Sequence, residues 1–128
     1  MKQASARELT SELDDWLTKI VTSETPSKSV IAFNVGLFQT ENGFSAYLMG
    51  GTRYDETDPD WACDEAFTPR ERYFSLPIDK SISWEKVHGA VVHATKDFLS
   101  TSVGKSSFLG HAVAVTVGFD EGDLERIK

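Results

Sequence analysis

Six carboxylates stand within eleven positions, Asp55, Glu56, Asp58, Asp60, Asp64 and Glu65, and no lysine or arginine lies between residues 55 and 69. Calcium would use such a run, because a hard cation wants several carboxylates converging from a short loop. Counted from Asp58, Asp60 and Asp64 fall at useful EF-hand positions, but Cys63 takes the sixth place, which needs glycine, and Pro69 the twelfth, which needs glutamate. General acid–base chemistry would need two carboxylates whose surroundings drive their pKa values apart. So charged a stretch gives no sign of a dry pocket, unless the fold hides one member against Trp61. Zinc requires about four ligands with short paired spacing, and Cys63, His88, His93 and His111 have none. On a helix, His88 and His93 would lie about 140° apart, so at most one could share a buried stripe. His111 could act as a general base for a Cys63 nucleophile if the fold joined them, although structural roles explain all four residues more simply. Gly104-Lys105-Ser106 ends like a phosphate-binding loop, yet the pattern needs glycine where Leu99 stands, a strand before it and a helix after it. A polar connection with a glycine helix stop is expected instead. No catalytic residue, metal ligand or cofactor is assigned.

A third chemistry, recognition by charge, does fit the run. Of the formal net charge of −7, these fifteen residues carry −6. Such a field repels nucleic acid and anionic membranes, both of which need a cationic face, and favours a basic protein partner. Interfaces centre aromatic anchors among charges, and complementary charge speeds association. Trp61 and Tyr54 would be the anchors, and Asp55, Glu56, Asp58, Asp60, Asp64 and Glu65 would take the partner's lysines and arginines. Alternatively Trp61 and Phe67 pin an ordinary loop over the core and leave the acids for solubility, and both roles can coexist. A second acidic cluster, from Asp120 to Glu125, lies on the same rim or the opposite one.

These groups must be held by one domain, residues 1–128, long enough to bury about two-thirds of its unfolded surface. Leu9, Leu13, Trp16, Leu17, Ile20 and Val21 recur at helical spacing, with Ser5 and Glu8 at capping-box spacing and Thr25-Pro26 at the exit. Residues 30–38 and 44–49 read as antiparallel strands joined at Asn42-Gly43, with Gly50-Gly51 ending or bending the second. Residues 72–76 read as a third strand near an edge, because Pro77 cannot donate to a ladder. Ser83 should cap a second helix whose apolar stripe runs Trp84, Val87, Val91, Ala94, Phe98 and Leu99, and residues 111–119 form a central strand. Leu124 and Ile127 suggest a terminal turn folded onto the body. The expected fold is α+β: an antiparallel sheet of about four strands covered by two helices in the order α-β-β-β-α-β. The long segment 52–70 is expected to be ordered, because Trp61 and Phe67 sit within it.

The longest apolar stretches, around residues 30–37 and 112–119, fall far short of the roughly 20 residues a spanning helix needs. Met1-Lys2-Gln3-Ala4 leads into polar residues rather than a secretion signal, and a lone cysteine forbids an intramolecular disulfide. A cytoplasmic chain, monomeric or weakly dimeric, is expected.

Residues 57–65 (Thr-Asp-Pro-Asp-Trp-Ala-Cys-Asp-Glu), 72–77 (Arg-Tyr-Phe-Ser-Leu-Pro) and 118–124 (Gly-Phe-Asp-Glu-Gly-Asp-Leu) together resemble small bacterial immunity proteins encoded beside polymorphic or contact-dependent toxins. The resemblance covers about a third of the chain. It implies a non-catalytic inhibitor that covers the active or substrate surface of a cognate toxin domain. No individual contact carries over, since such families vary their binding residues freely. Two further readings stay open: a small enzyme or ligand-binding domain with carboxylates and a histidine in a pocket under residues 52–70, and a scaffold that self-associates through a sheet edge.

Overall fold

The computed structural model describes residues 6–128. Helix α1 (Ala6–Ser23) buries Leu9, Leu13, Trp16, Leu17 and Ile20, the stripe its spacing demands. It stops before Thr25-Pro26, and the expected cap Ser5 lies outside the described residues. Strands β1 (Ala32–Thr40) and β2 (Gly43–Gly51) form the expected hairpin, with Glu41 and Asn42 as its two loop residues. Gly43, not Asn42, takes the unusual backbone, at φ 157°. Strand β2 runs through Gly50 and Gly51 rather than ending there. Strand β3 (Tyr73–Ser75) lies at the sheet edge. Ser83 caps helix α2 (Trp84–Ser100) by accepting from the Lys86 amide.

Two features depart from the expected architecture. A short helix, α3 (Ser102–Ser106), occupies the Gly-Lys-Ser stretch, so Gly104 lies inside a helical turn instead of acting as a stop. The sheet is mixed, with five strands in the order β3-β2-β1-β4-β5, where β4 is Ala114–Phe119 and β5 is Glu125–Arg126. Strand β4 runs parallel to β1, pairing Phe33 with Val115 and Gly36 with Gly118. The cause is the route of the chain: α2 and α3 carry it from the β3 edge back to the open side of β1, so β4 enters in the direction of β1. A parallel pair needs a crossover of this kind.

One sheet face meets the helices. Phe33, Val35, Leu37, Phe44, Ala46, Leu48, Val115 and Val117 pack there with the α1 stripe and with Val87, Val91, Ala94 and Phe98 of α2. Trp16 stacks on Phe74 at 5.2 Å and donates its indole N–H to the Glu71 carbonyl at 2.9 Å. Alternate residues face the other way: Ala32 and Met49 join Trp61 and Ala114 in a second, smaller cluster, and Asn34 accepts a 2.8 Å hydrogen bond from the buried Thr116 hydroxyl. No helix among the described residues is long and apolar enough to cross a membrane. Both edge strands are short, which leaves little template for pairing with another chain.

Candidate functional site

The acidic segment forms a closed excursion over the second sheet face. It leaves β2 at Gly51 and returns at Ala66 and Phe67, whose amides both bond the Gly50 carbonyl while the Gly50 amide bonds Phe67. Trp61, in a 3₁₀ turn (Pro59–Cys63) capped by the Asp58 carboxylate, is 1% exposed and rests on Ala32, Met49 and Ala114. Tyr54 meets it edge to face at 5.3 Å. On the return leg, Phe67 packs edge to face against both Phe33 and Phe108. Trp61, expected as an anchor for a partner, is therefore a pin: its indole is spent on the sheet, and its bearing on recognition runs through the loop it holds. Half-buried Tyr54 carries the Arg126 guanidinium over its ring at 5.2 Å.

The carboxylates divide into two sets. Asp64 pairs with Arg53 at 2.9 Å, Glu65 with Arg72, and Glu56 with Arg126 at 3.9 Å. The Arg72 guanidinium also lies over Tyr47 and Tyr73, 5.3 and 5.4 Å from their ring centres. Asp55, Asp58 and Asp60 are exposed and form no ion pair within 4.0 Å among the described residues. Asp55 accepts from the Thr57 amide and hydroxyl, which holds its carboxyl below the usual range. It therefore stays negative in mild acid.

The second acidic cluster joins this loop. A cleft of about 180 Å³ beneath the excursion is lined by Tyr54, Asp55, Glu56, Trp61, Asp123 and Leu124 among others, and no histidine reaches it. Across residues 120–125 lie two more clefts that share Trp84. One, about 570 Å³, is lined by the apolar Leu37, Phe38, Trp84 and Phe119 and by Asp120 and Glu121. The other, about 310 Å³, adds Glu85, His88, Asp123 and Glu125. Among the described residues, no lysine or arginine lines any of the three. His88 binds Glu125 at 3.1 Å, tying α2 to β5, while His111 bonds the Ser107 carbonyl at 2.9 Å. Cys63 is exposed. Among the described residues no group of three or more histidine, cysteine or acidic side chains could hold a metal ion.

Trp84 was expected on the buried stripe of α2, but it is 57% exposed. It is the first residue of the helix, and only its edge-to-face contact with Phe119 at 6.0 Å ties it to another ring among the described residues. A helical wheel assigns it the right angle but does not reveal that the first turn overhangs the sheet.

Asp120 is fixed from across the sheet. Tyr73, Tyr47, Gly36 and Gly118 form one cross-strand row. A Cβ at Gly36 would fall inside the Tyr47 ring, so the missing side chain is what lets the phenol cross β1 and donate to Asp120 at 2.5 Å. Burial, then this hydrogen bond and the Asp120 charge, push the Tyr47 pKa well above its ordinary value. The neutral phenol is thus favoured by folding. Its stabilisation is whole below the unfolded pKa of about 10 and is lost as pH rises from there toward the higher folded value. Urea midpoints should consequently fall more steeply above about pH 10 in the wild type than in Tyr47→Phe, and parallel slopes would contradict this assignment.

Comparisons with family models, with curated proteins and with solved structures return no match. The functional reading therefore rests on the geometry of this molecule.

Proposed function

We propose that this protein is a non-catalytic inhibitor, of the immunity-protein kind, that binds a basic partner through the acidic surface running from residues 55–60 over 120–125 to Trp84, and that the partner is a toxin domain of the nuclease type. One observation carries the reading: three adjoining clefts hold Asp55, Glu56, Glu85, Asp120, Glu121, Asp123 and Glu125, and no lysine or arginine among the described residues lines them, Arg126 reaching only Glu56 of these acids from outside. A nuclease must present cationic groups to phosphate, and an inhibitor can meet those groups with carboxylates. The loop is pre-ordered by Trp61, so binding would not bear the entropy of ordering it.

The test is binding to the product of the gene adjoining its own, with nuclease activity as the second readout. A stoichiometric complex that abolishes cleavage is expected. The triple variant Asp55→Lys, Asp58→Lys, Asp60→Lys should associate at least about tenfold more slowly at low salt, with a smaller change in dissociation. Absence of a complex, or an association rate indifferent to both salt and these substitutions, would remove the proposal.

A further inference from the structure

We infer that the cleft between Trp84 and the turn at residues 119–122 receives an arginine side chain of the partner, so that the most specific contact lies outside the loop holding most of the charge. The inference rests on the acidic-surface reading and narrows it to one pocket and one side-chain chemistry.

Trp84 is a large apolar ring left mostly in water. Buried tryptophans dominate interface energetics, and they do so in pockets that a partner desolvates. Around this ring the structure supplies a pocket of about 570 Å³ with Leu37, Phe38 and Phe119 as further apolar walls. Asp120 and Glu121 line the same pocket. Tyr47 occupies Oδ1 of Asp120, which fixes that carboxylate in place, and no hydrogen bond from another described residue engages Oδ2. The adjoining cleft, which Trp84 also lines, holds Glu85, Asp123 and Glu125, the last bound by His88.

An exposed indole that shares a pocket with two carboxylates suits a guanidinium best. Tryptophan is the strongest cation–π partner, and the planar fork of arginine can stack on a ring while its N–H groups reach carboxylate oxygens. An ammonium would satisfy the charges but gain less from the ring. A divalent ion fits poorly, because one wall is hydrocarbon and no metal-holding group of three or more side chains occurs among the described residues.

The experiment is an NMR titration of the intact protein at low salt with a hexa-arginine peptide and, separately, a hexa-lysine peptide. The chain has three tryptophans, and the expected result is that the Trp84 indole N–H and the amides of residues 119–122 shift, with arginine binding about threefold tighter than lysine. Trp84→Ala should weaken hexa-arginine about fivefold or more and erase the difference between the peptides. The pair Asp120→Asn with Glu121→Gln, which keeps an acceptor for Tyr47, should weaken both peptides. Shifts confined to residues 55–60, or equal peptide affinities untouched by Trp84→Ala, would overturn the arginine pocket while leaving the acidic surface to the partner experiment. The absence of any shift near Trp84 would overturn it as well.

Discussion

Trp61→Ala is expected to lower unfolding stability by about 3–5 kcal/mol, the usual cost of deleting a fully buried large aromatic ring. For a domain of this size that is a large share of a total of about 5–15 kcal/mol. The indole is 1% exposed and is the largest side chain of the cluster with Ala32, Met49 and Ala114. The two alanines beneath it cannot grow into the void, Met49 alone cannot fill it, and Tyr54 loses the ring against which it packs. A second effect follows from topology. The excursion is closed by backbone bonds at Gly50, and between those ends Trp61 is its one fully buried side chain. Without the pin, residues 52–66 should open, and trypsin should cut at Arg53 in conditions where the wild type resists. Trp61→Phe, which keeps a ring over Met49, should recover much of the loss. Urea unfolding and timed proteolysis check both effects, and an unchanged urea midpoint would show that the loop is held by something else.

How far the sequence reveals this arrangement depends on how local each cause is. The stripe from Leu9 to Ile20, the Ser83 cap and the hairpin arise from residues near one another in the chain, and all were legible, although the turn expected at Asn42-Gly43 falls one residue earlier, at Glu41-Asn42. The parallel pairing of β1 with β4 was not, because it depends on where α2 delivers the chain. A signal existed nonetheless: residues 30–38 and 112–119 are almost continuously apolar instead of alternating, the mark of strands covered on both faces. The ordered acidic loop was legible from its aromatics, but its inner bookkeeping of charge was not. That Arg126 reaches Glu56 and lies over Tyr54 depends on β5 joining the sheet beyond β4. Local pattern likewise cannot tell a tryptophan that pins a loop, Trp61, from one left for a partner, Trp84. The difference lies in whether a sheet extends beneath the ring.

Two glycine-to-alanine substitutions should act in opposite directions, which separates the chemistry of the change from its surroundings. Gly89 sits exposed in α2 with nothing within 4 Å of a Cβ placed on it. Alanine there should stabilise by about 0.5–1 kcal/mol, since glycine is a poor helix former. Gly104→Ala should instead cost about 3–4 kcal/mol, at or beyond the upper end of ordinary overpacking. The new methyl would collide with the Phe98 carbonyl oxygen and stand 2.8 Å from its carbonyl carbon and 3.0 Å from the Leu99 Cα. All of these are backbone atoms, so no side chain can swing aside. Thr101 makes the junction tight: it ends α2 and begins α3, bonding the Phe98 carbonyl while its hydroxyl accepts from the Gly104 amide at 3.0 Å. Relief requires α3 to move off α2, which breaks that cap and disturbs buried Leu109, where the chain turns toward β4. The glycine that looked like part of a phosphate loop thus serves close approach of two helices. Thermal or urea unfolding of the two variants side by side gives the answer, and a Gly104→Ala protein as stable as the wild type would mean that the α2–α3 junction is looser than these distances require.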